Sequence, residues 1–244
     1  MTTKLSTRGL FAIAVHEGIV PAYYVDVVGM PTWGIGHTHM AGPPDPRQMA
    51  RGLPAASELD ATLERVWKVF MKDMERYTKH VVDTLGPNLA QHELDGWVGF
   101  HFNTGGVFRT SAVPKWKAGD KAGAMAVLRQ WNKGTINGQK RVLSALVDRR
   151  RDETDLIMTG NYGLAGKVLP VWRVSSSHRP IYSQPLRTYS YDQWQEFLRS
   201  RGLLTKVGGV STGVGAVVGG GVVAAVSFWD RIEAWITNLF GGLF

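Results

Sequence analysis

The chain has 244 residues, no cysteine and a formal net charge of +8. Without thiols it can hold no disulfide, thiolate nucleophile or cysteine-ligated zinc or iron–sulfur centre, and 44% hydrophobic residues are enough for a core in one or two domains, which excludes general disorder. The positive charge is concentrated in residues 167–206, with 7 basic and 2 acidic groups, a surface for a polyanion that charge alone does not identify as nucleic acid, anionic lipid or acidic wall polymer.

Ser6 and Thr7 are N-cap candidates for a first helix in which Leu10, Ile13, Ala14 and Glu17 share one face, and Gly18 is placed to end it. Its apolar run LFAIAV is broken at once by His16 and Glu17, too soon for a signal peptide or a spanning helix, so this end is expected to fold in the cytoplasm. Residues 23–28 and 32–35 are β-type segments around Val-Gly-Met-Pro and predict a hairpin. A loop rich in Pro and Gly, AGPPDPRQMARGLP, fills residues 41–54.

From Ser57, apolar positions from Leu59 to Val81 recur every three or four residues and end at Gly86-Pro87, predicting one long amphipathic helix. Shorter helical patterns cover residues 91–102, 111–118, 121–131 and 141–158. The Arg149-Arg150-Arg151 run in the last of these reads as a solvated face with intrahelical pairs to Asp152, Glu153 and Asp155. The fold class expected is α+β and mostly helical, with a small N-terminal β-hairpin or sheet and a helical body over residues 1–166.

Beyond Gly166 the pattern weakens, and residues 167–206 read as a basic tether with one short helix near 191–204. Residues 207–229 form a stretch of 23 residues without a charge, long enough to cross a bilayer, though its seven glycines make the span marginal. Asp230 can cap a short amphipathic helix after it. Four basic residues from Arg187 to Lys206 precede the apolar stretch and only Arg231 follows it, which places the N-terminal domain on the cytoplasmic side of that membrane.

Two carboxylates stand out from apolar surroundings. Glu17 continues the core-facing side of the first helix, where desolvation would keep a carboxyl protonated as a general acid. Asp26 lies between Val25 and Val27. With the hairpin centred on Gly29 it faces Thr32, about 5 Å away across the strands, and a carboxylate beside a hydroxyl is suited to holding one water. An acid on one element and a water-positioning pair on the next is the equipment of glycoside hydrolysis.

These residues carry a resemblance. HEG, then YVD, then G-x-x-T-W-G-I-G-H resembles the phage-type lysozymes, the endolysin muramidases of glycoside hydrolase family 24, and residues 99–120 and 143–160 look like that family's second segment and closing helix. The resemblance implies a lysozyme-like fold and cleavage of the β-1,4 bond between N-acetylmuramic acid and N-acetylglucosamine in peptidoglycan. Glu17 would be the acid, with Asp26 and Thr32 positioning water or stabilising the oxocarbenium-like sugar. His37 would be structural, paired with an acidic group. Asn103, Gly105, Phe108 and Arg149 would bind substrate or support the cleft.

No cofactor is implied, and His37, His39, His92 and His101 lack an HExxH pattern, so no metal is expected. No nucleic-acid partner is expected either. The setting implied is the host cytoplasm, or the cytoplasmic face of the inner membrane through residues 207–229, with action on the periplasmic wall and room for a holin-type lysis partner. Two rival readings remain open here: a muramidase-like module that only binds peptidoglycan, and a protein that permeabilises membranes through its tail.

Overall fold

A computed structural model describes residues 4–26, 29–136 and 139–204. The apolar stretch at 207–229 and the amphipathic helix expected after it lie outside the described residues.

Helix α1 (Thr7–Glu17) starts where Ser6 accepts a hydrogen bond from the Gly9 N–H and stops at Gly18, at φ +70°. Strands β1 (Val20–Val25), β2 (Pro31–Gly34) and β3 (His37–Thr38) follow as an antiparallel sheet in that order. The hairpin register departs from expectation. Tyr24, not Asp26, is the partner of Thr32, and Val25 pairs with Pro31. Gly29 lies late in the loop rather than at the hairpin's centre: at φ +85° it closes the turn by donating to the Asp26 carbonyl at 3.0 Å, a position that favours glycine. Because the register moves by an even number of residues, Asp26 and Thr32 keep one face of the sheet, now as diagonal neighbours.

Helix α2 (Leu59–Leu85) runs 27 residues, about 40 Å, and buries the predicted stripe from Leu59 to Val81. Helices α3 (Gln91–Thr104), α4 (Ala112–Lys117), α5 (Lys121–Arg129) and α6 (Ser144–Thr159) complete the helical body. Trp67, Phe70, Trp97 and Phe100 are fully buried at its centre. Between α5 and α6 the chain forms a hairpin, β4 (Lys133–Ile136) with β5 (Gln139–Val142), in register Lys133 to Val142. The helical periodicity had set the start of the last helix at 141, but residues 139–142 belong to the strand. Asn137-Gly138, a strong hairpin dipeptide, was the available signal.

The expected tether is instead folded onto this body. β6 (Val168–Val171) pairs with β9 (Arg187–Ser190), β7 (Arg173–Val174) with β8 (Pro180–Ile181), and α7 (Tyr191–Ser200) follows. Trp194 is fully buried with its ring 5.1 Å from Trp67, and Tyr191 meets Phe11 edge-on at 5.3 Å. Val171 bridges to Ile19, and a Cβ on Gly18 would stand 2.2 Å from the Trp172 indole nitrogen. Prolines suggested a loose linker, but two-stranded ribbons tolerate them, and the aromatic side chains supply the buried area. Among the described residues no helix is long and apolar enough to cross a membrane.

Candidate active site

The end of α1, the β1–β2 turn, the C-terminal end of α3, the end of α5 and the β4–β5 hairpin surround a cleft of about 1090 Å³ lined by Glu17, Asp26 and Thr32 together. All three predicted catalytic residues therefore share one space. The lining also includes Arg109, Lys133 and Lys140, basic side chains suited to an anionic polymer.

Glu17 is not surrounded by apolar side chains as expected. Its Oε1 accepts from Arg149 Nη1 at 2.6 Å, and its side chain is only 9% exposed. Arg149 also donates through Nε to Glu153 Oε1 at 3.0 Å, and Arg150 Nη2 donates to the same oxygen at 2.9 Å and to Asn103 Oδ1 at 2.7 Å. Both arginines are buried, against the solvated face that the charge run suggested, whereas Arg151 is exposed and pairs with Asp148. Burial pulls the Arg149 guanidinium pKa down, but the charges and hydrogen bonds of Glu17 and Glu153 outweigh it and hold it above the usual arginine range. Burial lowers Arg150 to about 10, still charged at neutral pH. Two cations and two carboxylates thus form one buried network that fixes the Glu17 side chain from beneath.

Asp26 and Thr32 are joined through one residue. Met30 N–H donates to Asp26 Oδ1 at 2.7 Å, and Thr32 Oγ1 donates to the Met30 carbonyl at 2.9 Å. Its proton so used, Thr32 can only accept from a cleft water, and so can the Asp26 carboxylate. A water giving one hydrogen to each keeps a lone pair for attack. Tyr24, directly opposite Thr32, is buried in the same cleft wall, and its phenol is held well above its usual range by burial and by the charges of Glu17 and then Asp26. It stays a neutral hydroxyl in the cleft lining that it shares with the two carboxylates. Sequence reasoning quoted this tyrosine but gave it no role, although its place two residues before Asp26 puts it on the same strand face.

Of the residues expected to bind substrate, Asn103 lines the cleft, and with its oxygen taken by Arg150 it offers a donor, its NH2 group. Arg149 lies under Glu17 rather than in the cleft. Gly105 caps α3 at φ +60°, and Phe108 packs edge-on against His80 at 5.0 Å and His101 at 5.2 Å, so neither lines the cleft. Among the described residues no three His, Cys, Asp or Glu side chains are grouped to hold a metal ion.

His37 is buried with Nδ1 2.7 Å from Asp73 Oδ2 and Nε2 2.8 Å from the Pro44 carbonyl, so both ring nitrogens face acceptors. Burial alone would lower its pKa, but the hydrogen bond and charge of Asp73, with the Pro44 and Gly42 backbone, raise it above 6.5. A raised folded-state value stabilises the protein fully below the ordinary imidazole pKa and loses that contribution as pH climbs through it. The urea midpoint of the wild type is therefore expected to fall more steeply than that of His37→Gln as pH rises above 6.5; parallel slopes would contradict a charged His37.

Residues 14–153 match the family model described as phage lysozyme. The chain is 32% identical over 146 residues to the SAR-endolysin of Pseudomonas phage phiKMV, across 59% of this chain and 81% of that protein. It is 29% identical over 154 residues to the endolysin of Acyrthosiphon pisum secondary endosymbiont phage 1, across 62% and 96%. Among solved structures it is similar to the endolysin from Escherichia coli O157:H7 phage FAHEc1, with 27% identity and a TM-score of 0.56 over 65% of this chain and 96% of that one.

Proposed function

The chain belongs to the phage lysozyme family, and from that membership we infer that Glu17, Asp26 and Thr32 carry its reaction. The protein is a peptidoglycan-hydrolysing endolysin, a glycosidase of the muramidase type acting on the β-1,4 bond between N-acetylmuramic acid and N-acetylglucosamine. The observation that carries the assignment of residues is the convergence of these three on one cleft, with Glu17 fastened by Arg149. Glu17, when protonated, gives its proton to the glycosidic oxygen and is left as the carboxylate that Arg149 holds, while Asp26 and Thr32 hold a water by its two hydrogens or face the oxocarbenium-like sugar. Asn103 and the basic side chains of the lining orient the polymer.

Reducing-end analysis of digested sacculi tests the bond. New ends at N-acetylmuramic acid carry this reading, and ends at N-acetylglucosamine, or peptide release without new sugar ends, overturn it.

The substrate lies in the periplasmic wall, and delivery to it is assigned to the tail. The 23 uncharged residues of 207–229 support contact with the inner membrane from the cytoplasmic side, with a holin-type partner as the step that breaches it. A full-length protein that stays out of the membrane fraction, as a variant lacking residues 207–244 is expected to, would remove the membrane part of this proposal and leave the hydrolase intact.

A further inference from the structure

The segment after α6 does more than close the core, because part of it lines the cleft. Pro180 and Tyr182 share that lining with Glu17, Tyr24, Val25 and Asp26, yet both lie beyond residues 14–153, the extent of the family match. The segment is pinned to the catalytic sheet at several points. The Val25 N–H donates to the His178 carbonyl at 2.8 Å, and the Arg179 guanidinium donates to the carbonyls of Val25, at 3.2 Å, and Asp26. Beneath, Trp172 is buried with Val20 and Tyr24, and Tyr182 meets the Trp172 ring edge-on at 5.3 Å. His178 holds φ +60°, a conformation uncommon outside glycine that persists only where the surroundings enforce it.

We propose that Pro180 and Tyr182 form an added saccharide subsite, so that the C-terminal segment contacts the glycan strand beyond the bond being cut and sets the enzyme's preference for chain length. The cleft, about 1090 Å³, exceeds the 300–1,000 Å³ or so of a typical small-molecule site and accommodates several linked sugars. Tyr182, half-buried beside the buried Pro180, offers what the C–H face of a pyranose ring needs, a flat apolar aromatic surface. Both residues are held on the Asp26 side of the cleft by contacts that a plain connection between β6 and β9 would not require. Tyr182 touches no reacting atom in this account. It is a specificity determinant that adds binding equally to ground and transition states, so its loss acts on KM.

This inference rests on the hydrolase reading, and the experiment separates the two. Steady-state cleavage is measured on long peptide-free glycan strands and on a tetrasaccharide of the same repeat, for wild type, Tyr182→Phe, Tyr182→Leu and Tyr182→Ala. The Leu variant keeps apolar bulk against Trp172 without the ring. On long strands Leu and Ala are expected to raise KM about three- to tenfold, the worth of one aromatic contact, with kcat changed by less than a factor of about two. Phe is expected to stay near wild type, and on the tetrasaccharide the ratio of variant to wild-type kcat/KM should be several times closer to one. An equal loss on both substrates shows a merely structural role and overturns the subsite, as does no loss on long strands. Failure of the wild type to cut either glycan would instead strike the hydrolase reading.

Discussion

Glu17→Gln is expected to reduce sugar-end release from purified sacculi by about 10²- to 10⁴-fold, the usual worth of a positioned general acid. Gln is nearly isosteric and keeps an oxygen for Arg149 Nη1, the partner that holds Glu17 at 2.6 Å, so the cleft should retain its shape. What it lacks is a proton to give to the departing sugar oxygen. KM should change little compared with kcat, because the loss falls on the transition state. Circular dichroism of the variant should match the wild type. Release within about threefold of wild type would show that the proton comes from elsewhere and that Glu17 serves only to anchor α6 through its ion pair.

Arg149→Leu is expected to produce the largest loss of stability among the charged residues discussed. Its side chain is wholly buried, and removing it leaves Glu17 and Glu153 facing each other's charge with only Arg150 to offset them. Breaking a buried pair by removing one partner costs about 3–5 kcal/mol, which for a chain of this size lowers Tm by roughly 6–20 °C. Arg151→Leu, two residues on at a position whose side chain is 58% exposed, is the control and should shift Tm only slightly. The same melting curve for both variants would mean that water reaches the network and that its four charges are not paired as described. Activity should fall in Arg149→Leu even below the melting transition, since the side chain that fixes Glu17 is gone.

The neighbouring pair of arginines shows what a sequence conceals. Helix α6 was legible as a helix, but a run of three arginines offers no periodicity that separates two buried cations from one solvated cation. That distinction depends on α1 and α3 arriving from 132 and 47 residues away in the chain. Helices α1 and α2 were legible to within a few residues because their caps and apolar stripes are local. That Glu17, Asp26 and Thr32 meet in one cleft was legible through spacing, while the cross-strand register was not, since it turned on whether Gly29 sits at the centre or near the end of its loop. Residues 167–206 read as a tether for the same long-range reason, although 168–200 hold four strands and a helix. Trp172 acquires its meaning from Gly18 and Trp194 from Trp67, and neither partner is near in sequence. The β4–β5 hairpin, by contrast, was announced by Asn137-Gly138 and overlooked in favour of the helical pattern on either side.

The docking of β6, β9 and α7 on the body has a mechanical consequence for anything attached after Leu204. Were residues 167–204 an extended leash, they would let the catalytic body range roughly 125–135 Å from its mooring. Folded as they are, they spend that length internally, and only Thr205 and Lys206 stand between the last described residue and the uncharged stretch, a slack of about 7 Å. For an enzyme moored by its tail, the folded residues 168–200 would add no reach toward the wall. For such a protein, cutting distant glycan and staying attached are mutually exclusive, and casting off becomes the step that sets its working radius.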